Sequence, residues 1–440
     1  MRPAIKNFYL CFKKRKKLFI IVLTSVVLII SLVAIGNKLL FNMNEYNFKA
    51  QNEITSLWNY TDSDVFSTPI LGDVNNDGKL EVVVSDYTGE IYVLNGETGN
   101  KIWSYFTSSD YTIYTPALGD VDNDGDLDVV AVSNSGIVYA LDGSNGNLIW
   151  RFNTTVFVYT SPALADFNND SYVDVVIGSE NGTIFALNGR TGAILWKQNV
   201  NVWVLSVGLG DVNNDKIPDI IIGGTSFIGS LGGVSNGAVY VLDGKTGNKI
   251  WEYKDVLAVS VVAFDDINND GSLEAVVGAW NGLFVFEGES GNLIWKNDSI
   301  SSIVSLTVGD VTGDEFPDVL VLCVEVSSQS NIATNAVLVA VNGTNGCTIW
   351  SYSLSYDYYY PLRRGTIVLG DVNFDNNPDV LVGGNNTIYA LSGVKGDLLW
   401  TYIRESGFLE LALGDVDNDN QIELVATAHK NEVFALDISV

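Results

Sequence analysis

Nine-residue segments rich in aspartate recur eight times along this sequence. The second of them reads DVDNDGDLD, from Asp120 to Asp128, and places acidic side chains at positions 1, 3, 5 and 9. Oxygen atoms at this spacing can converge on one hard cation, with a backbone carbonyl at position 7 and a glycine at position 6 that suits the turn. The segments therefore predict calcium loops that are shorter than an EF-hand and end on a β-strand.

The eight segments share Asp at positions 1 and 5, Asn, Asp or Thr at position 3, and Asp or Glu at position 9. The predicted calcium ligands are Asp73, Asn75, Asp77, Glu81, Asp120, Asp122, Asp124, Asp128, Asp166, Asn168, Asp170, Asp174, Asp211, Asn213, Asp215, Asp219, Asp266, Asn268, Asp270, Glu274, Asp310, Thr312, Asp314, Asp318, Asp371, Asn373, Asp375, Asp379, Asp415, Asp417, Asp419 and Glu423. Their carboxylates are half of the 52 acidic residues of the chain. We predict up to eight structural Ca²⁺ ions.

The alternative is that these segments are plain Asp/Asn turns whose side chains cap the backbone. Three or four carboxylates within nine residues would repel one another without a cation, which favours the calcium interpretation. The sixth segment fits least well, because Thr312 stands at position 3 and Glu315 replaces the usual glycine. Zinc is disfavoured by the lack of nitrogen and sulfur ligands, and magnesium by the number of protein oxygens.

The charge balance limits the partners of the chain. It has 24 basic and 52 acidic residues and a formal net charge of −28. Nucleic acid is excluded as a partner, because binding its phosphates requires Lys and Arg to displace counterions.

The elements around each acidic segment read as four short strands, A to D. In residues 111–150 a short apolar run, Pro116 to Gly119, enters the acidic segment. A β-branched run from Leu127 to Val132, an alternating run from Ile137 to Leu141 and a last strand ending in Trp150 follow it. These lengths and turn residues are typical of antiparallel strands, and the repeat intervals of 44 to 61 residues suit propeller blades. We predict an all-β fold, an eight-bladed β-propeller of four-stranded antiparallel blades.

The tryptophan series predicts how the ring closes. Seven strands D carry a tryptophan, but the eighth unit stops at Val440 after its strand C. The eighth tryptophan is Trp58, near the other end of the chain. We therefore expect the segment around Trp58 to supply strand D of the last blade, which removes exposed sheet edges.

Two family resemblances meet in these repeats. The acidic loop with its lead-in resembles the FG-GAP repeat of integrin α-chain propellers. The stretch from Tyr92 to Trp103, YVLNGETGNKIW, and its copy from Tyr240 to Trp251 resemble the tryptophan-docking repeat of pyrroloquinoline-quinone-type eight-bladed propellers. Together the two patterns cover nearly all of residues 57–440 and imply the same fold as the strand pattern.

The N-terminal region predicts a membrane anchor. Residues 18–36 are uncharged and mostly Ile, Val and Leu, and as a helix they would be about 28 Å long, close to the hydrocarbon thickness of a bilayer. A basic cluster, Lys13 to Lys17, precedes them and keeps that end in the cytoplasm. We expect a cytoplasmic tail at 1–17, a transmembrane helix at 18–36, a linker at 37–56 and an exported propeller at 57–440. A cleaved signal peptide is the alternative.

The longest connections predict a ligand-binding face. In an up-and-down blade, the B–C and D–A connections lie opposite the calcium loops, and the long inserts Gly223 to Asn236, Ser327 to Asn335 and Ser351 to Gly365 all belong to this second group. Tyr and Arg are favoured at recognition surfaces, and aromatic rings also stack on sugars. The candidate ligand-binding residues of the third insert are Tyr358, Tyr359, Tyr360, Arg363 and Arg364.

The function expected from these features is an extracellular, membrane-anchored adhesion or ligand-binding module for a protein or a glycan. No catalytic residues are assigned, since His429 is the only histidine and no Ser–His or Cys–His pair is credible. The alternatives are a calcium-dependent polysaccharide lyase or hydrolase, a quinoprotein-like dehydrogenase, and a scaffold for envelope assembly. Cys323 and Cys347 fall on strands B and D of one blade, too far apart for a disulfide, so we expect free thiols.

Overall fold

The computed structural model of the protein describes residues 54–61, 67–107, 114–226, 236–326, 333–354, 366–384, 386–404, 409–428 and 432–438. All the described secondary structure is β. The strands of the first half are β1 Thr55–Thr61, β2 Ile70–Gly72, β3 Glu81–Ser85, β4 Glu90–Asn95, β5 Lys101–Phe106, β6 Ala117–Gly119, β7 Asp128–Val132, β8 Ile137–Leu141, β9 Leu148–Asn153, β10 Ala163–Ala165, β11 Asp174–Gly178, β12 Thr183–Leu187, β13 Ile194–Asn199, β14 Trp203–Gly210, β15 Asp219–Thr225, β16 Asn236–Leu242 and β17 Lys249–Leu257. Those of the second half are β18 Val259–Asp265, β19 Glu274–Ala279, β20 Gly282–Glu287, β21 Leu293–Asn297, β22 Ile303–Gly309, β23 Asp318–Val326, β24 Ala333–Val341, β25 Thr348–Leu354, β26 Ile367–Gly370, β27 Asp379–Gly383, β28 Thr387–Leu391, β29 Leu398–Ile403, β30 Leu409–Gly414, β31 Glu423–Ala428 and β32 Glu432–Asp437.

The strands form eight four-stranded antiparallel sheets, which are the blades of the predicted propeller. Seven blades use four consecutive strands in the order A-B-C-D, as in β2-β3-β4-β5. The eighth has the order β1-β32-β31-β30, so the first described strand pairs with the last. Thr55 pairs with Asp437 and Thr61 with Glu432. The predicted closure by the segment around Trp58 is confirmed.

The core lies between neighbouring blades. The B and C strands are almost fully buried because each is flanked on both edges by strands and packed on both faces, which explains their continuous Val, Ile and Leu runs. One cluster joins Val83, Val93 and Trp103 of the first blade to Val129 and Tyr139 of the second. The outer D strands instead alternate between buried and exposed residues, as a half-solvated strand should.

Seven of the eight strand-D tryptophans join their blade to the next by an indole hydrogen bond. The indole nitrogen of Trp103 donates to the carbonyl of Gly143 at 2.7 Å, and Trp58 donates to Gly96 at 2.6 Å across the closure. The ring lies on a glycine with positive φ: at Gly99 φ is 68°, and an added Cβ would be 2.6 Å from the Trp58 ring. Any side chain there would displace the indole, so the repeated Gly and Trp form one docking unit.

The predicted strand bounds, the free cysteines and the membrane helix can be compared with the described residues. The strands of residues 111–150 match the predicted ones, except that strand D continues past Trp150 to Asn153. Cys323 and Cys347 are free thiols, as expected. The expected membrane helix at 18–36 lies outside the described residues, and none of the described ranges contains a helix that could span a bilayer.

Candidate metal centre

All eight acidic segments are A–B loops, each between the innermost strand of a blade and the next strand outward. Their predicted ligands all lie in described residues. The C–D turns lie at the same end of each blade, since strands B and C run antiparallel and Glu81, which begins β3, pairs with Asn95, which ends β4. This end of the ring is called the loop face below.

The carboxylate at position 1 organises each loop. In the first loop, Asp73 Oδ1 accepts the backbone N–H of Asp77 at 3.0 Å, and Oδ2 accepts that of Gly78 at 2.8 Å. The same two hydrogen bonds recur in the other seven loops. The repeated geometry wraps the backbone around the position-1 carboxylate.

The carboxylate at position 5 holds the second half of the loop. Asp77 Oδ1 accepts the N–H of Lys79 at 2.9 Å, and the equivalent bond from position 7 is present in every other loop. Because the position-7 nitrogen is held by position 5, the loop conformation depends on the acidic side chains themselves.

Two positions of every loop have left-handed backbone. Position 6 has φ between 67° and 102°, with glycine in three loops and Ser171, Lys216, Glu315, Asn376 or Asn420 in the others. The predicted role of the position-6 glycine is therefore confirmed as a conformational requirement. Position 4 has φ between 55° and 75° in all eight loops, a requirement that the sequence analysis missed although its signal, asparagine in six copies, was present.

The carboxylate at position 9 begins strand B and is buried. Glu81 is 0% exposed, and its Oε2 accepts the N–H of Val74 at 3.2 Å. Burial raises the pKa of Glu81 to about 7, with the carboxylates of Asp77 and Asp73 adding to the rise. Burial likewise raises the pKa at position 9 of the other loops, to about 7 or about 6 in six of them and in the same direction at Asp318.

Four buried oxygen atoms of the loops have no hydrogen-bond partner among the described residues. They are Glu81 Oε1, Asp122 Oδ1, Asn168 Oδ1 and Asp318 Oδ1. Burying an oxygen atom without a hydrogen-bond partner costs free energy. A calcium ion bound by these carboxylate and amide oxygens would supply the missing partner. These atoms belong to positions 3 and 9 of four different loops, so the feature belongs to the repeat.

The second and eighth loops each gather three carboxylates, from positions 1, 3 and 9. In the second loop, carboxylate oxygens of Asp120, Asp122 and Asp128 lie within 4.8 Å of one another. The eighth loop does the same with its three equivalent residues, Asp415, Asp417 and Glu423. Both loops carry four carboxylates, one more than the other six. Like charges this close require a counterion or protonation.

The first residue of the C–D turn is a further polar group beside the loop that sequence analysis did not identify. Burial raises the pKa of Asp122 and of Asp417, and the Asp142 and Asp437 carboxylates add to these two rises respectively. Asn188 occupies this position in the third blade, and its Nδ2 donates to Asp170 Oδ2 at 3.1 Å. Only the pairing of strands B and C brings this residue, about 18 positions away, to the loop.

The sixth loop is assembled differently, as its sequence suggested. The Thr312 hydroxyl donates to Asp318 Oδ2 at 3.0 Å. Gly313 takes the left-handed position 4 and donates its N–H to Asp310 Oδ1 at 2.7 Å. The threonine hydroxyl is thus engaged with the position-9 carboxylate.

The opposite face carries a row of aromatic side chains on three adjacent blades. Tyr159 of the third blade lies 4.9 Å from Trp203 of the fourth and 6.4 Å from Tyr114 of the second, measured between ring centroids. Phe157, 6.5 Å from Tyr159, is 47% exposed. The candidate ligand residues Tyr358, Tyr359, Tyr360, Arg363 and Arg364, together with His429, lie outside the described residues.

Comparison with protein families supports the two sequence patterns. An FG-GAP-like repeat model matches residues 73–131 and 120–177. A model described as the outer membrane protein assembly factor BamB matches residues 169–314. The chain contains FG-GAP-like repeats. The first match covers the first three acidic loops, and the second covers tryptophan-docking repeats of the middle blades.

Solved structures share the fold at low sequence identity. BamB from Moraxella catarrhalis is 17% identical with a TM-score of 0.57, covering 87% of this chain and 99% of its own. Quinohemoprotein alcohol dehydrogenase from Comamonas testosteroni is 13% identical with a TM-score of 0.58, covering 89% and 78%. Sqt1 from Saccharomyces cerevisiae is 12% identical with a TM-score of 0.63, covering 86% and 98%. Identities this low establish the propeller fold alone. The search of curated proteins gives no match.

Proposed function

We propose that this protein is a membrane-anchored, extracellular propeller that binds structural calcium in its A–B loops and recognises a protein or glycan ligand. The buried position-9 carboxylates carry the calcium part of the proposal. They occur in all eight loops, and in two loops one of their buried oxygens has no partner among the described residues. Calcium would supply the missing partner and neutralise the acidic cluster.

Calcium would act here as a stabiliser of the ring. A ligand that binds only the folded state stabilises it by mass action, about 2.7 kcal/mol per site at one hundred times the dissociation constant. The position-1 and position-9 residues lie at the two ends of each loop, so an ion bound by both would link the end of strand A to the start of strand B. Up to eight such ions would stabilise the A–B pairing in every blade.

Isothermal titration calorimetry with Ca²⁺, paired with thermal melting in calcium and in chelator, tests this part. We expect several equivalents of calcium to bind and the melting temperature to rise. Asp120→Asn should weaken one of the sites. Unchanged melting in calcium and chelator would refute the structural role.

A binding role is supported by the distribution of chemical groups. Half of the acidic side chains are gathered in eight similar loops, whereas the aromatic row on the opposite face offers rings for stacking on a ligand. Aromatic residues are frequent anchors of recognition surfaces. The expected anchor at residues 18–36 would hold this binding surface outside the cell.

An envelope-assembly scaffold is the second candidate, favoured by the match of residues 169–314 to the assembly-factor model. A screen of the full-length protein in detergent against polysaccharides and surface proteins, with calcium and with chelator, separates the candidates. Retention without breakdown supports recognition, and loss of retention in Phe157→Ala would place the ligand on the aromatic row. Release of shortened sugars would instead indicate a polysaccharide-degrading enzyme.

A further inference from the structure

Thr155 has a backbone conformation that a β-branched residue rarely adopts. It lies in the turn after β9, the outermost strand of the second blade, and its φ is 65°. Asparagine and glycine tolerate this left-handed region, whereas a β-branched residue there is strained. Because strained residues concentrate where function requires them, the conformation suggests the hypothesis that the Thr155 side chain has a role of its own.

The third blade forms the same turn with a residue that suits it. Asn199 ends β13 as Asn153 ends β9, and each pairs with the first residue of the neighbouring strand C. In both turns the asparagine Oδ1 accepts the N–H of the residue two positions later, at 2.9 Å from Asn201 and at 2.8 Å from Thr155. Asn201 has φ of 54°, which asparagine accommodates well. The turn itself therefore does not require a threonine.

The threonine completes an acceptor sequence for N-glycosylation. Residues 153–155 read Asn-Thr-Thr, with a hydroxyl residue two positions after the asparagine, as the acceptor sequence Asn-x-Ser/Thr requires. Residues 199–201 read Asn-Val-Asn and lack that hydroxyl. The residue that strains the turn of the second blade is thus the residue that makes it an acceptor sequence.

The turn leaves both reacting side chains open to solvent. Asn153 and Thr155 are exposed, whereas Thr154 between them is buried and its hydroxyl donates to the carbonyl of Gly136 at 2.9 Å. Among the described residues, Asn153 Nδ2 and the Thr155 hydroxyl have no hydrogen-bond partner. Packing of the Thr155 side chain does not explain the threonine, because that side chain is exposed. A bulky group on Asn153 Nδ2 could extend into water from the outer edge of the blade.

Five other Asn-x-Ser/Thr sequences lie within the described ranges. They begin at Asn59, Asn169, Asn181, Asn297 and Asn342. Asn297 is the closest comparison, because it also ends a strand D and its Oδ1 accepts the N–H of Ser299 at 3.0 Å. Asn297 is half-buried, however, and its Nδ2 donates to the carbonyl of Gly346 in the next blade at 2.8 Å. A sugar on that nitrogen would have to fit between two blades.

We propose that Asn153 is an N-glycosylation site of this protein. The inference rests on the export of the propeller, which is part of the proposed function, because acceptor sequences of this kind are used in exported proteins. The co-substrate is a sugar activated at its C1 atom by a lipid-linked phosphate. Asn153 Nδ2 attacks C1 and forms the C–N bond, and the bond between C1 and the phosphate oxygen breaks. The phosphate leaves with the electron pair of that bond, and one Nδ2 proton passes to a base of the transferring enzyme.

The turn geometry favours this step. A carboxamide nitrogen is a weak nucleophile, and negative charge develops on Oδ1 as Nδ2 loses its proton. The N–H of Thr155 already points at Asn153 Oδ1 and would stabilise that charge. The same hydrogen bond holds the hydroxyl residue next to the acceptor asparagine.

The test uses the full-length protein, purified in detergent from the cells that naturally produce it. Trypsin cleaves after Arg151, and a protease that cleaves before aspartate cuts at Asp166, so the peptide 152–165 contains only one acceptor sequence. Mass spectrometry should find a glycan on Asn153 in most copies and on Asn297 in a clearly smaller share. Unmodified Asn153 in the exported protein, or equal modification of the two asparagines, overturns the proposal.

Thr155→Asn and Thr155→Ser are matched variants of the same turn. Thr155→Ser keeps the hydroxyl and should keep the glycan. Thr155→Asn copies the third blade and should lose the glycan completely. Because asparagine relieves the backbone strain, Thr155→Asn should melt no lower than enzymatically deglycosylated wild type, which shows that the loss is not a failure to fold. A glycan that persists on Asn153 in Thr155→Asn contradicts the proposal.

Surface labelling separates a failure of this inference from a failure of the proposed function. Intact cells are treated with an amine reagent that does not cross membranes, and the exposed Lys197 reports on the propeller. If Lys197 is labelled and Asn153 carries no glycan, only the glycosylation site is refuted. If Lys197 reacts only after the cells are lysed, the export is refuted, and the glycosylation site and the extracellular function fall with it.

Discussion

Replacing Asp128 with asparagine should reveal the cost of a buried carboxylate in the second acidic loop. Asp128 begins β7 and is 1% exposed. Its Oδ2 accepts the N–H of Val121 at 2.9 Å, whereas Oδ1 is 3.4 Å from the N–H of Gly143, a weak contact. Burial raises the pKa of Asp128 from 3.8 to about 7, with Asp122 adding to the rise.

The sign of the effect follows from proton linkage. Between the unfolded and the folded pKa, the folded protein binds more protons than the unfolded chain, so the free energy of unfolding falls as pH rises. The favourable contribution of this group is complete below about pH 4 and is lost as pH rises through about 7. At pH 8 the buried charge costs about 4 kcal/mol.

Asp128→Asn removes that charge at nearly constant shape. An amide cannot accept from both neighbouring N–H groups, which costs about 1 kcal/mol. In chelator at pH 8 the variant should therefore be more stable by about 3 kcal/mol, and at pH 4 it should be slightly less stable. Saturating calcium should cancel the gain, because only the wild-type loop binds calcium tightly. Binding raises the free energy of unfolding of the wild type by about 2.7 kcal/mol at one hundred times the dissociation constant.

Urea unfolding followed by tryptophan fluorescence measures each of these differences. Asp124→Asn is the matched control: Asp124 is an exposed predicted ligand of the same loop, and its Oδ1 accepts the N–H of Asp126 at 3.0 Å. This variant should gain less in chelator than Asp128→Asn, because the Asp124 charge adds only part of the rise in the pKa of Asp128, and it should lose calcium stabilisation. The reasoning is refuted if Asp128→Asn is no more stable than the wild type in chelator at pH 8, or gains equally at pH 4.

Three other measurements test the docking units and the loops. Trp103→Phe should lower the free energy of urea unfolding by about 1 kcal/mol more than Trp400→Phe, because the buried Trp400 indole nitrogen has no acceptor among the described residues; equal losses would argue against the indole hydrogen bond. Gly99→Ala should lower the melting temperature in calorimetry far more than Gly78→Ala, because both have positive φ but only at Gly99 would a Cβ meet an indole ring; similar shifts would contradict this. Calcium affinity should weaken below about pH 7 because protons compete for carboxylates such as Glu81, and titrations that give one affinity from about pH 5 to 8 would disprove it.

The repeat made much of the fold readable from sequence. Eight copies of one pattern give strand lengths, blade number and loop positions, because errors in one copy are corrected by the others. The displaced Trp58 even predicted the strand pairing across the closure, since a docking unit that lacks its tryptophan must find one elsewhere. The up-and-down order of the strands also predicted that the A–B loops lie on one face and that the B–C and D–A connections lie on the other.

The grouping of the acidic side chains in loops was also predictable, but their environment was not. The spacing of Asp120, Asp122 and Asp128 placed them in one loop, whereas the burial of Asp128 depends on the strands on either side of β7. The approach of Asp142 to Asp122 depends on the pairing of β7 with β8. The pattern of one strand does not contain these distances, because neighbouring strands set them.

What the sequence by itself determined is thus the repeat, its chemistry and the order of its strands, all of which are local and periodic. The tertiary structure decided which oxygens are buried without partners. It also decided that position 4 of every loop has left-handed backbone, although Phe374 occupies this position in the seventh loop. It also brought Thr55 to the loop face. These features arise where separate strands and loops meet, and their energies depend on solvent exclusion and backbone geometry that no single segment specifies.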